Sequence, residues 1–290
     1  MKVCGFTIVR NAIRFDYPAL ESIQSLLPLV DEMLVSVGDS EDDTLALIQS
    51  IDSPKIRIIR STWDDSLREG GRVLAEETNK ALAAIGPEFD WCFYLQADEI
   101  LHERWIPSLK QAMEENAGNQ EVQGLLFDYL HFYGSYHYLG DSRTWYRREV
   151  RIIRNLPGMQ SYRDAQGFRF QGKKLQVKHS GAQINHYGWV KNPRFQQEKQ
   201  KHFHKLWHED EWLEKNVAQA DDFDYSLIDS LRSFEGSHPA VMQERIRRCD
   251  WDFSFDVRKK KFSWKKMLLY YLEKWTGKRP FEYRNYRLLS

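Results

Sequence analysis

At 290 residues the chain has room for about two domains of roughly 150 residues, or for one α/β domain with an appended subdomain. Hydrophobic residues make up 42% of it and glycines number 16, an ordinary globular composition that excludes disordered, collagen-like and disulfide-scaffold chains. Lys plus Arg is 42 and Asp plus Glu is 42, so no net field draws it to nucleic acid, and any charge-driven binding must be local.

Taken in order, Val3 to Val9 continues directly from Met1-Lys2 and reads as a buried strand, not as a secretion signal. Met33 to Val37, Ile56 to Ile59 and Trp91 to Leu95 are similar short runs rich in β-branched or aromatic residues. Between them, Pro18 to Val30, Thr44 to Ile51 and Gly70 to Ile85 carry apolar residues at helical spacing, the last stopped by Pro87. A further helix is expected from Ile100 to Met113. This rhythm predicts a mostly parallel sheet flanked by crossover helices. Cys4 and Cys92 fall inside two of the strands as small buried hydrophobes, and the odd total of 3 cysteines points to a reducing compartment. No apolar stretch of about 18 residues is present, so no membrane span is expected and the cytoplasm is the expected location.

In an open α/β sheet, ligands bind beyond the carboxyl ends of the strands. The residues there are Arg10-Asn11, Gly38-Asp39-Ser40-Glu41-Asp42-Asp43, Ser61 to Asp65, and Gln96-Ala97-Asp98-Glu99. Carboxylates and amides dominate, and neither G-x-G-x-x-G nor a P-loop lysine motif follows any strand. A diphosphate in this crevice would need its charge met otherwise, and Asp98-Glu99 is suitably placed to hold Mg²⁺ or Mn²⁺ against it.

The order strand-Arg-Asn, then Ser40-Glu41-Asp42-Asp43-Thr44, then Gly70-Gly71 to Asn79, then Trp91 to Glu99 resembles the family 2 glycosyltransferases of the GT-A fold. The resemblance covers roughly residues 1 to 190. It is strongest to a bacterial subgroup with Gln-Ala-Asp-Glu in place of Asp-x-Asp and a later His-Tyr-Gly-Trp-Val, here His186 to Val190. It implies a GT-A, Rossmann-like α/β fold, a nucleoside-diphosphate sugar donor and a Mn²⁺ or Mg²⁺ cofactor. By the same resemblance, Val9, Arg10 and Asn11 line the base and ribose, and Asp39, Ser40 and Asp42 close over the base. Gly71 and Gln96 belong to the donor site, and Asp98 is the metal ligand. Val37 and Gln96 depart from the family pattern, which leaves one metal carboxylate missing. Glu99 and His186 are the residues expected to make it up.

Farther along, Phe127 to Arg147 interleaves eight aromatic rings with polar residues, as strands beside an acceptor-sugar site would, with core packing accounting for about half of the rings. Transfer needs a general base, and Glu149 and Asp164 are the two candidates. His204 and His208 have zinc-ligand spacing but lack a third ligand, so together with His202 they read as a solvated helix face. From Asn192 the alternation gives way to polar helical stretches, so a catalytic domain 1–191, with donor half 1–100 and acceptor half 101–191, is expected before an α-rich extension 192–290. Residues 257–290 carry 11 Lys plus Arg against Glu273 and Glu282, with many aromatic residues, which suits either an anionic membrane surface or a helix docked on the domain.

The reading that follows is a metal-dependent transferase, inverting by expectation, acting on a saccharide or lipid-linked acceptor in surface-glycan assembly, cytoplasmic or peripheral on the inner membrane face. A non-catalytic nucleotide- or glycan-binding module of the same fold, and a nucleotidyltransferase, remain open at this point.

Overall fold

The computed structural model describes residues 1–67, 69–205 and 220–289. In chain order it runs β1 (Val3–Val9), α1 (Ala19–Leu26), β2 (Glu32–Gly38), α2 (Thr44–Gln49), β3 (Ile56–Ser61), α3 (Arg72–Ala83), β4 (Trp91–Tyr94), β5 (Glu99–Leu101) and α4 (Ile106–Glu115). There follow β6 (Gly124–Tyr133), β7 (Ser135–Gly140), β8 (Arg148–Arg154), β9 (Met159–Tyr162), β10 (Gly167–Phe170), β11 (Lys173–Lys174), β12 (Gln176–Trp189) and α5 (Pro193–Lys205). The chain closes with β13 (Leu231–Ser233), α6 (Gln243–Arg247), α7 (Trp264–Thr276) and β14 (Arg287–Leu288).

The main sheet has the order β13-β7-β6-β8-β4-β1-β2-β3, with β12 beside β6 and carrying β5 and β14. Strands β4, β1, β2 and β3 are mutually parallel, β8 is antiparallel to both its neighbours, and β12 runs parallel to β6. This is the expected mixed α/β architecture, a mostly parallel central sheet with helices on its faces. Apolar residues of the strands alternate between those faces. Met33, Val35, Trp91 and Phe93 pack with Ile23 and Leu26 of α1, Ile48 of α2 and Leu109 of α4. Cys4, Phe6, Leu34 and Tyr94 pack on the other side with Ala81 and Leu82 of α3 and Phe168 of β10. Cys4 and Cys92 are buried and free, and the half-buried Cys249 is free as well.

The structure refines the sequence expectations at four points. The helix expected from Ile100 begins only at Ile106, because Glu99–Leu101 is drawn out as a strand pairing antiparallel with β12. Much of the aromatic run is core: Phe127, Tyr129, Phe132 and Tyr133 are buried because β6 lies within the sheet with both faces covered, and Tyr136 of β7 is buried beside them. The segment from 192 onward is not purely helical, as β13 pairs with β7, β14 pairs with β12, and Tyr286 joins the core. His202 packs against Phe15, the rings tilted by 35° with centroids 4.8 Å apart, so it is not on a solvated face. The side chain of His204 and all of His208 lie outside the described residues. Among the described residues no helix is long and apolar enough to cross a membrane.

One buried ion pair ties the two halves of the sheet. Glu99 of β5 receives Arg151 of β8 in fork geometry, Nε to Oε2 and Nη2 to Oε1 both at 2.8 Å. Tyr129 OH at 2.8 Å and the Gln96 amide at 3.1 Å donate to the same carboxylate. Removing one partner leaves the other charge buried and unpaired, so Glu99→Ala should cost about 3 to 5 kcal/mol of unfolding free energy. Urea denaturation measures this, and a loss under about 1 kcal/mol would assign the pair no structural role.

Candidate functional site

Strands β1, β3 and β4 end along one edge of the sheet, and a crevice of about 490 Å³ opens above them. Val9 and Arg10 from the end of β1, Trp63 after β3, and Gln96 and Asp98 after β4 form one side of it. Trp189 and His186 of β12 and Lys199 of α5 form another, and Asp164 and Gln166 enter from the β9–β10 turn.

The antiparallel pairing of β5 with β12 builds the acidic corner, because it sets His186 opposite Glu99 and lets the Tyr187 amide donate to the Asp98 carbonyl at 2.8 Å. Asp98 and Glu99 leave the chain toward different surroundings. Glu99 is sealed beneath the floor by Arg151, so the expected metal-ligand role finds no free oxygen there. Asp98 faces the crevice, where Lys199 Nζ reaches its Oδ2 at 3.2 Å and the Gly188 carbonyl at 3.0 Å. Burial pushes the Asp98 carboxyl up, but Lys199, His186 and Lys191 outweigh it and hold the group at about 2. Burial likewise works against the Lys199 ammonium, yet Tyr17 and Asp98 keep it above its ordinary range, so the pair is ionised at neutral pH.

The proton positions on the neighbouring histidines follow from their partners. His131 Nε2 lies 2.7 Å from the Tyr146 carbonyl, which only accepts, so that nitrogen carries the hydrogen. Burial, reinforced by His186, holds the His131 ring neutral. Its Nδ1 is then an acceptor, and His186 Nδ1, 3.1 Å away, must donate to it. Burial also keeps His186 neutral against the pull of Asp98. The network therefore assigns His186 Nε2 as a bare lone pair, 3.7 Å from Asp98 Oδ1. Gly188 keeps this corner open, since a Cβ there would stand 2.6 Å from Asp98 Oδ2 and 2.8 Å from His186 Nε2. One carboxylate oxygen and one imidazole nitrogen, oriented by a further histidine, fit a Mg²⁺ or Mn²⁺ ion that completes its shell with ligand phosphates. Among the described residues no group of three His, Cys, Asp or Glu converges, so the ligand's own oxygens would have to supply the rest.

Of the other residues expected to bind donor, Asn11, Ser40 and Asp42 build the loop beside the crevice and do not form its wall. Asn11, in a left-handed conformation at φ 53°, accepts the Glu41 amide at 2.7 Å, and Ser40 Oγ accepts the Asn11 amide at 3.1 Å. Asp42 receives the Arg14 amide at 2.7 Å and the Thr44 amide at 3.0 Å, fixing the start of α2. Asp39 meets Trp63 and Arg10: the Trp63 amide donates to Oδ1 at 3.2 Å, and Arg10 Nε donates to its carbonyl at 3.0 Å. Gly71, at φ 69°, begins α3, and Gly70 beside it lines a second, wider cavity of about 700 Å³. Asp164 and Gln166 line both cavities, so this turn stands where the two spaces meet.

The two base candidates are placed differently. Asp164 is half-buried on the cavity wall between Arg163 at φ 58° and Ala165 at φ 59°. Two non-glycine residues in the left-handed region store strain, of the order of 1 kcal/mol each, in the turn that presents it. Burial raises its carboxyl above the ordinary range. Glu149 is buried behind the wall, where Gln166 Nε2 donates to its Oε1 at 2.8 Å and Oε2 has no partner. Burial lifts it to about 8 despite Arg151 and Gln166. Lys199 was not singled out by sequence reasoning; Trp63 was read only within Ser61 to Asp65 after the third strand, and His131 only among the polar residues interleaved with the aromatic run. The available signal for Lys199 was that a helix starting at Pro193, just after the His186 strand, returns its second turn to that strand's end.

No protein-family model and no curated protein matches this sequence. Among solved structures, the chain is similar to S. aureus TarS 1–349 in complex with UDP, at 18% identity over 46% of this chain and 37% of that one, with a TM-score of 0.35. A second structure of TarS 1–349 aligns over 76% of this chain and 67% of that one, at 12% identity and a TM-score of 0.38. Glucosyl-3-phosphoglycerate synthase from Mycobacterium tuberculosis, in complex with Mn²⁺, UDP and phosphoglyceric acid, gives 22% identity, 45% and 43% coverage and a TM-score of 0.29. The chain spans less than half the length of the UDP-bound TarS and of the synthase. At these scores the likeness carries no functional argument.

Because folded Glu149 holds its proton up to about pH 8, against 4.5 for the ordinary group, its contribution to stability is full below pH 4.5 and is lost as the pH rises through about 8. The Tm of the wild type should therefore fall between about pH 5 and pH 8 relative to Glu149→Gln, which cannot ionise. Parallel Tm curves for the two proteins would show that Glu149 is not held neutral.

Proposed function

We propose that this chain is a glycosyltransferase that takes a sugar from a nucleoside diphosphate and passes it, with inversion, to a saccharide or lipid-linked acceptor in surface-glycan assembly. The observation that carries the reading is the corner of Asp98, His186 and Lys199, set in one crevice with Asp164. A diphosphate leaving group needs positive charge that is in place before the bond breaks. Lys199 supplies it as a fixed, nearly buried ammonium, 11% exposed in its side chain, held by the Gly188 carbonyl and Asp98. Asp98 and His186 would hold the divalent ion, which when bound supplies further charge against the diphosphate. Val9, Arg10 and Trp63 border the same crevice and are assigned the nucleoside end.

On the acceptor side, Asp164 takes the proton from the attacking hydroxyl. Its raised carboxyl is a stronger base than a solvated aspartate, and its turn opens both to the donor crevice and to the wider cavity, where an acceptor has room. Glu149, neutral and walled off, is assigned the task of holding Gln166 beside that turn.

A thermal-shift panel of UDP, GDP, dTDP and CMP, each with and without Mn²⁺, tests donor binding, since a ligand of the native state raises Tm. One nucleotide should raise Tm in the wild type, and Asp98→Asn and Lys199→Ala should abolish most of that shift. Asp164→Asn should keep the shift while sugar transfer falls by about 10² to 10⁴. No shift with any nucleotide would overturn the reading, and undiminished transfer in Asp164→Asn would remove Asp164 as the base.

A further inference from the structure

Helix α7 is amphipathic in the reverse sense from a helix that folds onto a core. Its attachment to the body is polar. Tyr270, the buried residue of the helix, donates its hydroxyl to Asp141 at 2.5 Å, and Lys274 reaches the same carboxylate at 2.8 Å. Glu273 accepts Arg143 at 2.7 Å. The apolar side points away. Trp264, Leu268, Tyr271, Leu272 and Trp275 fall within about a 100° arc at 3.6 residues per turn. They are 72%, 63%, 44%, 37% and 83% exposed, respectively. Five large apolar side chains exposed together along one helix face mark an interaction surface.

The charge around this face identifies what it meets. Lys265 and Lys278 are exposed beside it, with Lys259 and Lys261 just before the helix; Lys266 falls on the other side of the helix, where it lines a cavity with Arg143, Asp229 and Tyr270. The two carboxylates of the tail are withdrawn from the surface: Glu273 is 19% exposed against Arg143 and Arg147, and Glu282 is 14% exposed against Arg147 and Arg279. The tail therefore shows solvent an apolar, tryptophan-bearing face with a positive rim and almost no negative charge. A second copy meeting this face across a two-fold axis would set lysine against lysine. At 13 residues the helix is too short to span a bilayer. We propose that α7 docks the protein on an anionic lipid surface, lying in the headgroup plane with Trp264, Leu268 and Trp275 inserted and the lysines on lipid phosphates. The proposal stands on the tail alone and does not depend on the donor chemistry.

Co-sedimentation of the full chain with vesicles tests it, comparing phosphatidylcholine alone with phosphatidylcholine plus phosphatidylglycerol at about 0.1 M and about 0.5 M salt. The bound fraction should be several-fold higher on anionic vesicles and should drop at the higher salt. Trp264→Ser with Trp275→Ser should abolish binding, and Lys265→Glu with Lys278→Glu should remove its salt-sensitive part, with Tm unchanged in both. Equal sedimentation with both lipids, or binding that survives the double tryptophan variant, would overturn the proposal. So would a dimer in sedimentation velocity that the same variant dissociates, since a second copy would then be the occupant.

Discussion

The fork between Glu99 and Arg151 decides which way the acidic tip of the fourth parallel strand faces. Two carboxylates follow one another at Asp98 and Glu99, both are buried, and each therefore needs a cation of its own. Arg151 forms part of the floor of the crevice, its guanidinium centre 5.5 Å from the Tyr94 ring and 5.4 Å from the Tyr129 ring, and takes both oxygens of Glu99. With that residue fixed, β5 is extended instead of helical, it pairs with β12, and Asp98 is left facing the crevice.

The remaining parts of the corner arrive from later in the chain and meet Asp98 there. Strand β12 brings His186 and the side-chain-free Gly188, and α5 brings Lys199 directly after it. His131 comes from β6 and sets the tautomer of His186 through a ring-to-ring hydrogen bond. Each part is polar and nearly buried, so each is held by named partners and not by packing alone. The result is a site whose charges are arranged before any ligand enters, the condition under which electrostatic stabilisation of a leaving group costs no reorganisation.

Local pattern made the parallel half legible. Val3 to Val9 coincides with β1, and the three crossover helices fall inside the stretches where apolar spacing places them. The crevice follows from that topology, and Val9, Arg10, Gln96, Asp98, Asp164 and His186 all line it. What the sequence did not disclose depends on distant pairing. Glu99 looks like Asp98 until Arg151, fifty-two positions away, is placed against it. Lys199 is one of many lysines in a polar stretch until β12 is known to end beside Asp98. In the tail the aromatic and basic composition was visible, but whether those rings faced inward or outward depended on Asp141, which holds the polar side of the helix from β7's far end.

The most direct measurement of the central claim is a crystal structure of the protein soaked with the nucleoside diphosphate it binds and Mn²⁺, with the metal located by its anomalous signal. The account predicts the manganese peak between Asp98 and His186, with diphosphate oxygens within hydrogen-bond reach of Lys199 Nζ. A diphosphate bound elsewhere, out of reach of Lys199 and with no metal peak in that corner, would contradict it.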